Sequence, residues 1–104
     1  MIEIRQTESF STWLNSLRDS KVKGRIIVKI DRLQLGLIGD AKHVGGGVSE
    51  LRLDFGPGFR IYFARHGSEI ILLLHGGDKK TQNRDILKAR LLLKSILGGK
   101  HEKS

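Results

Sequence analysis

Five aliphatic residues in a row, Ile70-Ile71-Leu72-Leu73-Leu74, leave no polar side chain for solvent on either face of an extended strand. Such a segment must run through the interior of a sheet with both faces covered. The residues before it supply the neighbours: Val48 to Lys80 reads as three consecutive short strands running into a basic loop. Phe55-Gly56-Pro57-Gly58 makes the first turn, because glycine takes positive φ and proline presets its own. Arg65-His66-Gly67-Ser68 makes the second, with Gly67 at the positive-φ position. Alternation in the first two strands places Leu51, Leu53, Phe59, Ile61 and Phe63 on one face. Glu50, Arg52, Arg60, Tyr62 and Ala64 fall on the other.

Helices must supply the covering layers. Met1 to Thr7, with Ile2 and Ile4, reads as a first strand. Ser9 or Thr7 then caps a helix running to about Leu17, whose Phe10, Trp13, Leu14 and Leu17 make one apolar stripe. Trp13 belongs to the core on this reading. Asp19 or Ser20 caps a second helix from Lys21 to about Leu35, closed by Gly36. It buries Val22, Ile26, Ile30 and Leu33 and carries a basic stripe of Lys21, Arg25, Lys29 and Arg32. Two helices joined so closely form an antiparallel hairpin. A last helix, about Gln82 to Leu97, starts from a cap at Thr81 or Asp78 and buries Ile86, Ala89, Leu93 and Ile96 or Leu97. It is expected to cover part of the second sheet face or to pack at the sheet's end. Gly98-Gly99 is expected to end it. The whole is one α+β domain, residues 1–104, in the order β-α-α-β-β-β-α: a four-stranded, mostly antiparallel sheet packed by the helix hairpin, with residues 98–104 as a flexible tail. Gly39 to Gly47 reads as a glycine-rich linker. No Gly-Lys-Ser/Thr closes it and no helix follows, so it is not a phosphate loop of the Walker kind.

Charge narrows the function. Nineteen Lys and Arg against eleven Asp and Glu give a net charge of +8 and a pI near 10.2 on 104 residues, which favours a polyanion or an acidic protein as partner. The absence of cysteine excludes disulfides, thiol catalysis and thiolate metal sites. No apolar run reaches the roughly 18–20 residues needed to span a bilayer, and the first residues lack the pattern of a secretory signal. A cytoplasmic protein without membrane contact is the expectation. The four histidines, His43, His66, His75 and His101, have no metal-ligand spacing, so neither metal nor cofactor is expected. No nucleophile elbow and no paired aspartates for two-metal chemistry appear.

Metal-free phosphoryl transfer on RNA fits what remains. RNA carries its own nucleophile, the 2′-hydroxyl. Cleavage needs a base near it, cations on the phosphorane and a proton for the 5′-oxygen. Arg52 and Arg60 lie on adjacent strands of one face, and their planar forks suit two phosphate oxygens. Glu50, two residues upstream, is the favoured base, and Lys79 or Lys80 adds charge or donates the proton. Tyr62 would stack on a base. Lys42 and His43 in the glycine-rich segment, with Arg25, Lys29 and Arg32 on the second helix, would contact RNA or the ribosome. The same spacing equally allows Glu50 only to pair with Arg52 or Arg60 across the sheet.

Three segments, G-x-x-E-L-R (Gly47 to Arg52), G-P-G-F-R-I-Y-F (Gly56 to Phe63) and L-L-L-x-G-G-D-K-x-T-Q (Leu72 to Gln82), together closely resemble the addiction-module killer proteins of the RelE/ParE superfamily, which include the HigB-type toxins. The resemblance covers nearly the whole chain. It implies the toxin of a bacterial or phage-derived toxin–antitoxin pair with the RelE-like fold. It implies a metal-independent, ribosome-dependent mRNA endoribonuclease that leaves a 2′,3′-cyclic phosphate. The implied partners are a neutralising antitoxin (a helix-turn-helix protein from the adjacent gene), the ribosome and mRNA, with operator DNA met only through the antitoxin complex. By position it points to Arg52, Arg60 and Lys79 or Lys80 as catalytic. Glu50 stands where RelE-like members carry a basic residue, and the last helix lacks the tyrosine that several of them use. Two other functions suit the same features: a ParE-like gyrase inhibitor acting by protein contact, and a plain nucleic-acid-binding module.

Overall fold

The computed structural model describes residues 1–102, with side chains as far as Gly98. The chain runs β1 (Glu3–Gln6), α1 (Glu8–Ser16), α2 (Ser20–Gln34), β2 (Ala41–Gly45), β3 (Val48–Arg52), β4 (Arg60–His66), β5 (Ile70–Gly77), a 3-10 turn (Lys79–Thr81) and α3 (Gln82–Glu102). The strands form a single sheet in the order β1-β5-β4-β3-β2. β1 lies parallel to β5, and the remaining pairs are antiparallel.

The aliphatic run is therefore interior, flanked by β1 and β4, and both of its faces are buried. Ile71 and Leu73 join Phe10, Ile26, Leu33, Leu51, Leu53, Phe59, Ile61 and Phe63 in a core under α1 and α2. Leu72 and Leu74 turn the other way, where Val48, Tyr62, Ala64, Ala89 and Leu93 pack under α3. The alternation read in β3 and β4 holds residue for residue. The C-terminal helix covers the second face instead of packing at the sheet's end. Phe10 in α1 is wholly buried and stacks obliquely on Trp13. Its truncation to alanine would cost about 3–5 kcal/mol, a large part of the stability of a small domain.

Caps set the helix starts. The Thr7 hydroxyl accepts from the amide of Phe10 and donates to the carbonyl of Leu74, so one side chain caps α1 and ties it to the central strand. The Asp19 carboxylate accepts from the amide of Lys21 and starts α2. Asp78 caps the 3-10 turn in a reciprocal box with Thr81.

Two expectations are corrected. The sheet has five strands, because part of the glycine-rich segment forms β2. Gly45, Gly46 and Gly47 all take positive φ and make the hairpin turn to β3, with a register shift between His43 and Gly45. The ladder with β3, not side-chain propensity, holds Ala41–Gly45 extended. Gly98-Gly99 does not end α3, which runs on to Glu102. Of the expected tail, residues 103 and 104 lie outside the described residues.

Candidate active site

Glu50 is the pivot of the face covered by α3. It sits in the middle of β3, opposite Lys42 on β2 and Tyr62 on β4, and has no exposed surface. One carboxylate oxygen accepts a hydrogen bond from the side-chain amide of Gln82, at 2.9 Å, in the first turn of α3. Three cations surround it: Lys42 Nζ, Arg52 Nε and Arg60 Nε each lie 3.9 Å from one of its oxygens. At that separation the contacts are Coulombic and not hydrogen bonds. Two unit charges about 4 Å apart attract by about 4 kcal/mol at an effective dielectric of ~20, and less where a partner is half exposed, as Lys42 and Arg52 are. Desolvating a carboxylate costs several kcal/mol, so one such cation would not suffice. Three cations and the Gln82 amide together offset the cost of burying the Glu50 carboxylate.

Arg52 and Arg60 are direct cross-strand partners at the end of the β3–β4 hairpin. The Arg60 guanidinium is almost wholly covered and donates to the carbonyl of Gly58 at 2.6 Å, which fixes its fork against the glycine turn. Lys79 meets the same turn from β5: its amide donates to the carbonyl of Pro57. Arg52, Arg60 and Lys79 thus gather at one end of the sheet, with Lys42 beside them. Three buried polar atoms here, one Glu50 oxygen, Arg60 Nε and the Tyr62 hydroxyl, have no hydrogen-bond partner among the described residues, although buried polar groups are ordinarily paired. Burial pushes the Tyr62 phenol well above its ordinary pKa, and the nearby Glu50 and Asp85 carboxylates add to this. It stays a protonated donor.

A second polar cluster secures the first turn of α3. His75 on β5, paired with Tyr62 across the ladder, places Nε2 3.0 Å from Asp85 Oδ1 and Nδ1 2.9 Å from the Ser9 hydroxyl. Thr81 donates to the other Asp85 oxygen. Burial lowers the His75 pKa, partly offset by Asp85, while Lys88 and Arg84 lower it further. A neutral ring donating from Nε2 to Asp85 and accepting at Nδ1 from Ser9 satisfies all three groups. The Gly76-Gly77 pair makes this closeness possible. A Cβ on Gly76 would fall 2.1 Å from the Trp13 ring, and one on Gly77 1.9 Å from an Asp85 oxygen.

The expected site residues divide into three groups. Glu50, Arg52, Arg60, Lys42 and Lys79 come together, and exposed Lys80 follows Lys79 in the same turn. Tyr62 is wholly buried, so the expected stacking on a base is closed to it. Glu50, expected as the base, has no oxygen open to solvent. His43 turns to the opposite sheet face, where its Nδ1 meets the Ser49 hydroxyl in a pocket with Arg65 and Phe63. Arg25, Lys29 and Arg32 lie on α2, across the sheet from Glu50. At one end their stripe meets the outer side of the β3–β4 turn, where Arg25 lies over the Phe55 ring at 4.0 Å, and Lys29 and Arg32 also line a pocket with Gly36 to Gly39. Gln82, His75 and Asp85 were not singled out from the sequence. Gln82 closes the third motif segment, but its tie to Glu50 spans 32 positions. Among the described residues no cluster of His, Asp and Glu fit to hold a metal occurs, and no described helix is long and apolar enough to cross a membrane.

A five-stranded sheet with two helices on one face, a C-terminal helix on the other and a cationic end around a buried carboxylate defines a protein of the RelE-toxin fold. The solved structure of the Escherichia coli toxin RelE, as a double arginine mutant in the free state, superposes with a TM-score of 0.68 over 86% of this chain and 94% of that one, at 12% identity. Residues 12–94 match the family described as phage-derived protein Gp49-like (DUF891), and the chain belongs to that family, one of RelE/ParE-type toxins. An uncharacterized protein of Haemophilus influenzae Rd is 42% identical over 95 residues, 91% of this chain and 96% of that protein.

Proposed function

We propose that this toxin-family protein is a metal-independent mRNA endoribonuclease that acts on the ribosome and is neutralised by a cognate antitoxin. The observation that carries the reading is the convergence of Arg52, Arg60, Lys42 and Lys79 at one end of the sheet, around the buried Glu50. In this reaction the 2′-oxygen attacks the adjacent phosphorus, the bond to the 5′-oxygen breaks, and a 2′,3′-cyclic phosphate and a free 5′-hydroxyl result. Half-exposed Arg52 meets the non-bridging oxygens, whose charge grows in the phosphorane, and Arg60, almost wholly covered beside it, adds its charge from a fixed fork. Lys79 gives a proton to the departing 5′-oxygen, and the 2′-hydroxyl proton passes to water. Glu50, closed to solvent, sets the spacing of the cations and takes no proton. Lys42 and Lys80 extend the positive field along the RNA.

Inducing the chain in a bacterial host and following RNA and DNA together tests this. Growth arrest with cleaved mRNA and intact chromosomal DNA is the expected result. Arrest with double-strand DNA breaks and intact mRNA would instead support gyrase inhibition by protein contact.

A further inference from the structure

Apart from Met1, the exposed large apolar side chains among the described residues fall in two places: Ile27, Val28, Leu35 and Leu37 on and just after α2, and the outer face of α3. Leu87, Leu91 and Leu97 are 60%, 67% and 52% exposed. With Arg90 and Lys94 they line an open groove of about 580 Å³ that ends against Gly46 in the β2–β3 turn. Positions 87, 90, 91, 94 and 97 recur at i, i+3, i+4, i+7 and i+10, so they share one helical face. This stripe lies beside the buried one of Ile86, Ala89 and Leu93 that holds α3 to the sheet, and Leu93 forms the inner edge of the groove. Exposed leucines at this spacing are what a helix presents to another helix.

Charge says what kind of helix fits. Between Gln82 and Gly98 the bases are Arg84, Lys88, Arg90 and Lys94, all exposed, and the one acid, Asp85, is buried against His75 and Thr81. A second copy docking by two-fold symmetry would set Arg90 and Lys94 against the same cations. A nucleic acid backbone would meet the cations but leave the leucines facing phosphate. An amphipathic helix with aliphatic residues on one stripe and acids on its flanks satisfies both.

We propose that this groove seats an acidic amphipathic helix of the neutralising antitoxin, apart from the Arg52–Arg60 end of the sheet. The proposal rests on the toxin reading above. It makes the antitoxin's anchor independent of the residues that contact RNA: Leu87 and Leu91 give the apolar seat, while Arg90 and Lys94 pair with the flanking carboxylates.

The test uses the full chain with its purified cognate antitoxin. Two variants, Leu87→Asp/Leu91→Asp and Arg90→Glu/Lys94→Glu, change only exposed side chains, and unchanged thermal unfolding verifies their fold. Both are expected to arrest growth like wild type and to escape rescue by co-expressed antitoxin. Binding should weaken at least ~30-fold, and the charge-reversed variant should lose most of the salt dependence. Rescue and affinity equal to wild type in both variants would overturn the proposal. So would wild-type self-association that the leucine variant abolishes. If the wild-type chain itself arrests no growth, the toxin reading fails first and the docking proposal falls with it. Arrest and rescue of wild type with equal rescue of the variants would remove the docking proposal alone.

Discussion

The side-chain amide of Gln82, in the first turn of α3, donates to the fully buried carboxylate of Glu50 on β3. This bond joins the helix that covers the sheet to the carboxylate that spaces Lys42, Arg52 and Arg60. Removing it leaves both Glu50 oxygens without a donor, since the other is already unpartnered. Gln82→Leu should therefore cost about 1–3 kcal/mol, measurable by urea unfolding. It should lower RNA cleavage further than the loss of folded protein explains. Unchanged stability would mean that Gln82 does not hold Glu50.

Glu50→Gln separates an organising carboxylate from a general base. The loss of stability should fall below the ~3–5 kcal/mol of a fully buried pair, because Lys42 and Arg52 are half exposed. Cleavage by the variant should slow while its pH–rate profile keeps its shape. If Glu50 takes the proton, the acid limb of that profile should vanish in the variant.

How far the sequence could be read follows from where each signal lies. Strand alternation placed both sheet faces, and the Ile70–Leu74 run placed an interior strand, because burial acts directly on apolar spacing. Arg52 and Arg60 were found because alternation along two adjacent antiparallel strands puts them on one face whatever covers it. β2 escaped: Ala41–Gly45 carries little β propensity and is held by its ladder to β3. The burial of Glu50 and Tyr62 escaped as well. A carboxylate or phenol on a strand face reads as open until a helix from the far end of the chain lands on it, bringing Gln82. Gly98-Gly99 looked like a helix stop, but glycine in a helix costs only about 1 kcal/mol each relative to alanine, and α3 runs through both.

His75 ties stability to pH. Its folded pKa lies below the ordinary 6.5, so below that pH the unfolded chain binds the extra proton first. The contribution is fully present above about pH 6.5 and is lost as pH falls towards the folded value. Denaturant unfolding across this window should show stability dropping with acid, and His75→Gln should flatten that part of the slope. An equal slope in the variant would place the titration elsewhere.

The glycines predict opposite signs for one substitution. Gly77→Ala would drive a methyl into Asp85, breaking the His75–Asp85 clasp, and should cost at least about 2 kcal/mol. Gly24, inside α2 with nothing near its missing Cβ, should gain about 0.5–1 kcal/mol on change to alanine. Thermal unfolding reads both, with about 4–8 °C expected per kcal/mol at this size.

The central claim is that the Arg52–Arg60 pair performs phosphate chemistry on RNA. Its most direct measurement is sequencing of RNA ends from cells induced for wild type, Arg52→Ala and Arg60→Ala, with soluble, folded protein verified for each. Wild type should produce new mRNA fragments carrying 2′,3′-cyclic phosphates, and each alanine variant should lower their yield by at least ~100-fold, a loss of about 2.7 kcal/mol of transition-state stabilisation. Folded variants that cut as well as wild type, or a wild type that arrests growth without cutting RNA, would contradict it.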